Sequence, residues 1–316
     1  MRLLLTGATG FLGRHVAAAA TGWIVSRVTR ASEASSANEV ALGPGPWTRA
    51  DFAAAIDRAR PDVVLHCAGA VYSPDVRSCF ETNTLLTAEL LGAAAVARET
   101  PRVVLVGSAA EYGIVPADAQ PVVETFPCAP RTDYAVAKCA QTLLALAAAM
   151  RGQPVLVARL FNPVGVGMPG RLALPSFARQ IVGPEARPVL RVGDLSAKRD
   201  FLDVDEAARL LLALAAMPHW PWPVVNVCSG QAYCLGDLLD GLIAASGIEV
   251  RVETDPALMR PGDMPILTGS TERLASVGLA PRAPEFSTLL LRLLTEARAS
   301  GERTIATADG PHRILT

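Results

Sequence analysis

Ser108, Tyr134 and Lys138 have the side-chain types and the spacing needed for proton transfer to or from an oxygen atom. Tyr134 and Lys138 lie four residues apart near the start of a predicted helix, so their side chains share one face. A nearby ammonium group favours the tyrosinate and lowers the pKa of the phenol, which then exchanges protons more readily. Ser108 follows a predicted strand, Arg102 to Val106. It is therefore expected at the carboxyl end of a sheet, where its hydroxyl can hold the reacting oxygen.

A glycine-rich turn, TGATGFLG at residues 6–13, follows an apolar run of strand length and opens a helical run from Phe11 to Thr21. In this context Gly7 permits a tight turn, Gly10 lets backbone amides approach a diphosphate, and Gly13 lets helix and strand pack closely. A turn of this kind can also be purely structural. Followed by the serine and the tyrosine–lysine pair, it predicts an enzyme that uses a nicotinamide dinucleotide, whose oxidised ring would add to the effect of Lys138 on Tyr134.

The residues that end the second predicted strand indicate which dinucleotide is used. An enzyme specific for NAD carries an Asp or Glu there, which binds the ribose 2′-hydroxyl. This chain has Thr29 at that position, and the adjacent Arg30 can pair with a 2′-phosphate, so NADP(H) is favoured over NAD(H). Arg27 is a further candidate, but strand alternation points it elsewhere.

Apolar runs of strand length alternate with alanine- and leucine-rich runs of helix length, which predicts an α/β fold with a doubly wound parallel sheet of the Rossmann type. The predicted strands are Leu3–Leu5, Trp23–Val28, Val63–His66, Arg102–Val106 and Pro154–Phe161. Further helices are predicted at Trp47–Ala59, Pro74–Arg98 and Arg131–Met150.

The amino-acid composition changes after Phe161, where glycine and proline become frequent and the predicted helices and strands become shorter. We expect a nucleotide-binding domain at residues 1–161 that also receives about 199–228, including a strand at Val224–Cys228. Residues 162–198 and 229–300 are expected to form a smaller substrate-binding lobe. Residues 301–316 are expected to form a tail, irregular from about Ser300.

Composition excludes several classes of protein. The 316 residues are 51% hydrophobic with a formal net charge of -1, which suits a large core and gives no basic field for nucleic acid or membrane surfaces. Six cysteines without CxxC spacing and the absence of a leader pattern predict a soluble protein of the cytoplasm. The four histidines have no ligand spacing, so no metal is predicted. Asp203 and Asp205 are expected to cap a helix rather than to catalyse.

Taken together, these motifs make the chain resemble the extended short-chain dehydrogenases/reductases that act on nucleotide sugars, over nearly its whole length to about Arg298. Within that superfamily it is similar to the branch of GDP-4-keto-6-deoxy-mannose reductases and GDP-mannose 4,6-dehydratases. The segments that carry this similarity are SFARQI at Ser176–Ile181, VGDLSAKRDFLDVDEAARL at Val192–Leu210 and MRPGDMPIL at Met259–Leu267.

The resemblance implies roles for substrate-binding residues. Arg199 and Arg260 would bind the nucleotide diphosphate. Guanidinium groups suit this role because they form paired, charge-assisted bonds to phosphate oxygens. Asn162, in RLFNPVG, would contact the sugar nucleotide. Taken singly, either arginine could instead form a surface ion pair, for instance with Asp200 or Asp263.

The resemblance also implies cofactor contacts and an assembly. The expected cofactor contacts are Phe11 and Leu12 through their backbone, Ala68, Asn83 and Phe161. A homodimer would form through a four-helix contact of the helices predicted at 74–98 and 131–150, whose alanine-rich faces permit close packing.

The reaction type is narrowed by the loop after Ser108. The 4,6-dehydratases of the superfamily carry acidic residues there, whereas this chain has Ala109 and Ala110, and its nearby carboxylate, Glu111, is shifted by one position. Water elimination needs a base and an acid, so the loop favours simple ketone reduction. We therefore expect an NADPH-dependent 4-ketoreductase of a nucleotide-activated 4-keto-6-deoxyhexose.

Several alternatives remain open at this stage. An epimerase with resident NAD is the first, a dehydratase that takes its acid from elsewhere is the second, and a non-catalytic cofactor sensor is the third. Pro163 and Val166 depart from the branch pattern near the sugar pocket, so dTDP stays an alternative to GDP as the nucleotide.

Overall fold

The computed structural model describes residues 1–184, 186–259 and 264–308. Its strands are β1 (Arg2–Thr6), β2 (Ile24–Thr29), β3 (Glu39–Ala41), β4 (Val63–His66), β5 (Arg102–Ser108), β6 (Val155–Leu160), β7 (Asn162–Val164), β8 (Val189–Val192), β9 (Lys198–Arg199), β10 (Phe201–Asp203), β11 (Val224–Val227), β12 (Tyr233–Cys234), β13 (Arg251–Thr254) and β14 (Ile266–Leu267). Its helices are α1 (Phe11–Ala19), α2 (Arg49–Ala59), α3 (Val76–Phe80), α4 (Leu86–Ala95), α5 (Asp133–Met150), α6 (Ala173–Val182), α7 (Val204–Ala216), α8 (Leu235–Ser246), α9 (Glu272–Ser276) and α10 (Phe286–Ala308).

Seven parallel strands form the main sheet, in the order β11-β6-β5-β4-β1-β2-β3. The order reverses at β1, and this reversal creates the crevice at the carboxyl edge in which doubly wound folds bind ligands. The predicted fold class is confirmed, and the chain segment after the glycine- and proline-rich region returns to the sheet as β11.

Helices cover both faces of the sheet, which explains why its central strands are almost entirely apolar. On one face α1 and α7 pack against the sheet, with fully buried Val16 and Leu211 among the contacts. On the other face α2, α4 and α5 pack, with Phe52, Leu90 and Ala148 buried. The two layers fix the strand ends that carry the candidate site.

The smaller part of the fold packs separately around α6, α8 and α10. Leu174, Leu239 and Leu293 lie in its core, together with the short parallel pair β8 and β13. A second small cluster, with Tyr112 and Phe161 at its centre, lies between this part and the main sheet.

Two predicted elements differ from the structure. The helix expected at 74–98 is α3 and α4 joined by a π-helical turn at Glu81–Leu85, a widening typical of functional positions. Helix α10 continues to Ala308, so the irregular tail expected from Ser300 begins as helix. Once a helix is nucleated, each further residue adds a backbone hydrogen bond at little cost.

Among the residues that the structure describes, none of the helices combines the length and apolar character needed to cross a membrane.

Candidate functional site

The glycine-rich turn between β1 and α1 is a cradle in which two of the glycines are required sterically. Gly7 has φ +69°, and a Cβ there would lie 2.6 Å from the Ala68 nitrogen. A Cβ on Gly13 would overlap the Gly7 carbonyl, so only glycine lets α1 start this close to β1.

The first turn of α1 is open to a ligand. Gly10 is its exposed N-cap and makes no side-chain cap, while the first helical bond runs from Arg14 N to Gly10 O at 3.1 Å. Phe11 and Leu12 are half-buried in this turn, where helix N–H groups have no intrahelical acceptor. The turn therefore fits a dinucleotide diphosphate, which such N–H groups and the helix dipole attract.

The end of β2 presents an exposed guanidinium. Arg30 is exposed at the carboxyl edge, next to Thr29, where an acidic residue would stand in a protein specific for NAD. Arg27 points away and pairs with Glu39 of β3, Nη2 to Oε1 at 3.2 Å. Of the two arginines, Arg30 is thus the more exposed at this edge.

Ser108 and Tyr134 meet at the carboxyl edge of the sheet. Ser108 is the last residue of β5 rather than the residue just past it, and its Oγ accepts from Ala110 N at 3.2 Å. Ser108 lies close enough to Tyr134 for its side chain to lower the pKa of the phenol. Thr132, the N-cap of α5, accepts from Ala135 N at 3.2 Å and fixes the start of the helix that presents Tyr134.

Lys138 lies one turn further along α5 and is only 4% exposed. Its Nζ donates to the Val106 carbonyl at 2.6 Å and to Gln141 Oε1 at 2.8 Å. Burial lowers the pKa of Lys138 to about 8, although the Glu111 carboxylate opposes this shift. The bonds to Val106 and Gln141 thus hold the Lys138 ammonium in place. Its lowered pKa means that it loses its proton more readily than an exposed lysine does.

The expected lowering of the tyrosine pKa is not found in the chain itself. Burial raises the pKa of Tyr134 to about 12, and the Ser108 side chain reduces this rise only in part. The reason is that Lys138 is turned toward Val106 and Gln141 instead of the phenol. Tyr134 is consequently protonated at neutral pH, which is the form that a proton donor needs.

His66, at the end of β4, is a third buried titratable group of the site. Thr6 Oγ1 accepts from Ala68 N at 3.3 Å and shares a hydrogen bond of 2.8 Å with His66 Nδ1. Within the part of the chain that the structure describes, His66 Nε2 has no hydrogen-bond partner. Burial and then Lys138 lower the pKa of His66 to about 3, so the ring is neutral.

Glu111 faces away from this site into a buried polar network. Its Oε1 accepts from Ser108 N at 2.8 Å, and its Oε2 accepts from Thr142 Oγ1 at 2.8 Å and Arg159 Nε at 2.9 Å. Both charged partners are almost completely buried. Sequence analysis treated Glu111 as a carboxylate near the site, whereas the structure commits it to an ion pair with Arg159.

Arg159 links Glu111 to further buried groups. Its Nη1 donates to the Glu124 carbonyl at 3.1 Å, and its guanidinium lies 4.7 Å from the Tyr112 ring centroid. Tyr112 in turn donates to Asn226 Oδ1 at 2.6 Å. We call these residues the Glu111 network: Glu111, Thr142, Arg159, Glu124, Tyr112 and Asn226.

Two of the expected cofactor contacts are buried in the structure. Asn83 is fully buried, and its amide binds both the N–H and the carbonyl of Ala70, at 3.1 and 3.0 Å. It therefore holds the loop after β4. Phe161 is also fully buried and packs with Tyr112. Ala68, in the same loop, is half-buried and borders the cradle.

The described residues that are expected to bind the substrate lie on the short strands β7 and β9. Asn162, in β7, donates from Nδ2 to the Asp200 carbonyl at 2.8 Å. Arg199, in β9, is half-buried and donates to the Met264 carbonyl at 2.6 Å. Arg260 lies outside the described residues. The structure thus brings Asn162 and Arg199 to neighbouring short strands.

Asp200 is not an ion-pair partner of Arg199 in the described contacts. Its carboxylate is buried and accepts from Ser229, Gly230 and Gly269 backbone N–H groups at 2.8, 2.9 and 3.2 Å. Desolvation raises its pKa. The residue fixes the loop after β11.

Asp203 caps α7, as the sequence predicts, by accepting from Asp205 N at 2.8 Å. Asp205 instead pairs with His15 of α1, Oδ1 to Nδ1 at 2.5 Å. The other ring nitrogen of His15 lies 3.0 Å from the Val166 carbonyl. His15 therefore links α1 to the segment after β7.

Sequence reasoning missed the residues that hold the catalytic groups in place. Gln141 and Thr142 lie three and four residues after Lys138, a helical spacing that placed them on the same face and was a usable signal. Arg159 carried no such signal, because its partner Glu111 is 48 residues away in the chain.

Comparison with known proteins identifies the relatives of this chain. The NAD dependent epimerase/dehydratase family matches residues 3–228. The GDP-6-deoxy-D-mannose reductase of Pseudomonas aeruginosa is 34% identical over 286 residues, which cover 86% of this chain and 89% of that protein. The dTDP-6-deoxy-L-talose 4-dehydrogenase (NAD(P)(+)) of Kitasatospora kifunensis is 32% identical over 264 residues, covering 81% and 82%.

A solved structure agrees with these sequence relatives. The structure of RMD from Pseudomonas aeruginosa complexed with NADPH superimposes with a TM-score of 0.79 at 28% identity, covering 95% of this chain and 99% of that chain.

Proposed function

Because the chain belongs to the NAD-dependent epimerase/dehydratase family, we propose that it is an NADPH-dependent 4-ketoreductase of a nucleotide-activated 4-keto-6-deoxyhexose. It is an NAD(P)-dependent oxidoreductase of the extended short-chain type, like its relatives. The observation that carries the proposal is that Ser108, at the end of β5, and Tyr134, in the first turn of α5, converge beside a carboxylate that Arg159 withdraws from the site.

Reduction of a ketone needs a hydride, a proton and a polarised carbonyl. NADPH, when bound, supplies the hydride. Tyr134 donates the proton to the carbonyl oxygen, and its raised pKa keeps that proton in place until transfer. Ser108 donates a hydrogen bond to the same oxygen. Lys138, one turn further along α5, supports the reaction with a positive charge held by Val106 and Gln141.

The buried position of Glu111 argues against a dehydratase. Elimination of water needs an acid beside the sugar, and Ala109 and Ala110 offer none. Glu111 cannot serve, because both of its oxygens are occupied by Ser108, Thr142 and Arg159.

The cofactor preference rests on Arg30. Its exposed guanidinium stands beside Thr29, where a carboxylate would repel a 2′-phosphate, so NADPH is preferred to NADH. Arg30→Ala should lower the preference for NADPH over NADH about tenfold, a loss of one charge-assisted contact. Arg27→Ala, which breaks only the pair with Glu39, is the matched control.

For the substrate, we propose that Arg199 and Arg260 bind the nucleotide diphosphate and that Asn162 contacts the sugar nucleotide. GDP is favoured over dTDP as the nucleotide.

The proposed division of the chain assigns residues 1–161 with 199–228 to the cofactor and residues 162–198 with 229–300 to the substrate. We also propose that the enzyme is located in the cytoplasm, where its six free thiols remain reduced.

A homodimer through α4 and α5 is supported by the exposed apolar face of these helices. On α5, Val136, Leu143 and Met150 are 40, 62 and 91% exposed and lie seven residues apart, on one face. Leu85, before α4, is 55% exposed. Leu143→Glu should convert a dimer to a monomer in analytical ultracentrifugation, whereas Leu291→Glu, at an exposed leucine of α10, should not.

The test of the activity is NADPH oxidation, followed by absorbance, with GDP- and dTDP-4-keto-6-deoxyhexoses offered separately and NADH as comparison. Stoichiometric consumption with one nucleotide establishes the reductase and identifies the donor. No consumption with either would overturn the proposal. An epimerase, the alternative, would instead change the sugar with no net change of cofactor redox state over many turnovers.

A further inference from the structure

The carboxylate of Glu111 joins the three parts of the chain that must be aligned for catalysis. One oxygen binds the backbone N–H of Ser108, at the end of β5. The other binds the hydroxyl of Thr142 on α5 and the guanidinium of Arg159 on β6. These bonds are 2.8, 2.8 and 2.9 Å long, and Glu111 itself is fully buried.

Thr142 connects this carboxylate to the catalytic face of α5. Tyr134, Lys138 and Thr142 follow one another at intervals of four residues, so they form one row on the helix. Glu111 therefore holds Ser108 and that row against each other with one side chain. A displacement of α5 along its axis would break the bond to Thr142.

The surroundings leave the carboxylate little freedom. A Cβ at Gly107 would lie 2.8 Å from Glu111 Oε1, so the glycine makes room for the carboxylate. The Arg159 guanidinium neutralises the charge from the opposite side. A buried group that is fully paired in this way is rigid, because breaking any one bond leaves an unsatisfied polar atom.

We propose that Glu111 is a positioning residue of the reaction, which sets the separation between the Ser108 hydroxyl and the Tyr134 phenol through Thr142. This inference rests on the proposed function, because both hydroxyls must meet one carbonyl oxygen. Glu111 itself touches no reacting atom. A misplacement of about 1 Å at the reacting groups costs roughly 100-fold in rate.

Thr142→Val tests the proposal without disturbing the ion pair, because it removes only the hydroxyl. We expect kcat to fall about tenfold or more with the KM for NADPH unchanged, and the primary isotope effect with deuterated NADPH to increase. Thr142→Ser should restore kcat. Thr87→Val is the control, since it removes an equally buried hydroxyl that donates to Asn83 O at 3.0 Å within its own helix region.

A second measurement is independent of turnover. Amide hydrogen exchange of Ser108 in the cofactor-free chain should be at least about threefold faster in Thr142→Val than in Thr87→Val, because the acceptor Glu111 is loosened. Equal exchange rates in the two variants would overturn the inference, whatever the substrate proves to be. In an active enzyme, equal kcat values in the two variants would overturn it as well, and an inactive wild type with fast exchange in Thr142→Val would count against the proposed function alone.

Discussion

The Glu111 network lies next to the Lys138 site, which consists of Ser108, Tyr134, Lys138 and His66. Both regions bury charged groups. In the network, the carboxylate of Glu111 has three donors and Arg159 has acceptors for each of its nitrogens. Among the described residues, the hydrogen-bond acceptors of Lys138 in the site are neutral, and His66 keeps one nitrogen without a partner.

This difference separates a structural use of burial from a chemical one. A paired charge stays ionised and rigid, whereas an incompletely paired group shifts its pKa toward the range in which protons move. The pKa of about 8 for Lys138 is of the second kind. Burial instead raises the pKa of Tyr134 to about 12, which keeps that phenol protonated. Substitutions of Tyr134 and Lys138 should therefore act mainly on activity. Substitutions of Arg159 and Tyr112 in the network should act mainly on stability, whereas Thr142 should change kcat through its positioning bond to Glu111.

Tyr134→Phe should give the largest effect. Loss of the proton donor should lower kcat by about 10³ to 10⁴-fold, the upper part of the range for general acids, with NADPH affinity and Tm little changed. Steady-state kinetics and NADPH titration by fluorescence measure the two quantities. Residual activity within tenfold of wild type would show that Tyr134 is not the donor.

Arg159→Met should have its main effect on stability, because Glu111 keeps its positioning bonds to Ser108 and Thr142. It leaves the buried carboxylate of Glu111 without its counter-charge, which should lower the free energy of unfolding by about 3–5 kcal/mol. Urea denaturation measures the loss. The double variant Arg159→Met with Glu111→Gln should recover part of it, and a single variant as stable as wild type would contradict the buried ion pair.

Tyr112→Phe is the matched counterpart of Tyr134→Phe in the network. It removes the donor to Asn226 Oδ1, which should destabilise the fold by about 1–3 kcal/mol. Activity should remain close to wild type at a temperature where the variant is folded. A fall in kcat comparable to that of Tyr134→Phe would mean that the two regions are not functionally distinct.

The titration of Lys138 should change activity and stability in opposite directions. As pH rises through about 8, Lys138 loses its proton, so kcat/KM should fall. Over the same interval stability should rise, because the unfolded chain keeps its lysine proton to a higher pH and then binds more protons than the folded chain.

Lys138→Met is the control for both parts of this prediction. It should be poorly active and show neither the alkaline fall of activity nor the rise of stability. An unchanged alkaline limb in that variant would assign the limb to another group.

The features that the sequence analysis missed share one cause. Asn83 and Phe161 lie at motif positions, but a motif position does not reveal how deeply a side chain is buried, and both are fully buried. Asn83, in the π-helical turn, binds Ala70 across 13 residues of chain. By contrast, Gly7 and Gly13 were correctly interpreted, because their requirement is local backbone geometry.

The sequence by itself determined the doubly wound sheet, the glycine cradle, and the spacing of Tyr134 and Lys138, since all of these follow from periodicity and from short-range sterics. Only the tertiary structure decided which buried charges are paired. Glu111 meets Thr142 and Arg159 across 31 and 48 residues of chain, and Lys138 meets Val106 across 32. Electrostatic energies depend on neighbours in space and on the loss of water, and neither is encoded in the spacing of residues along a chain.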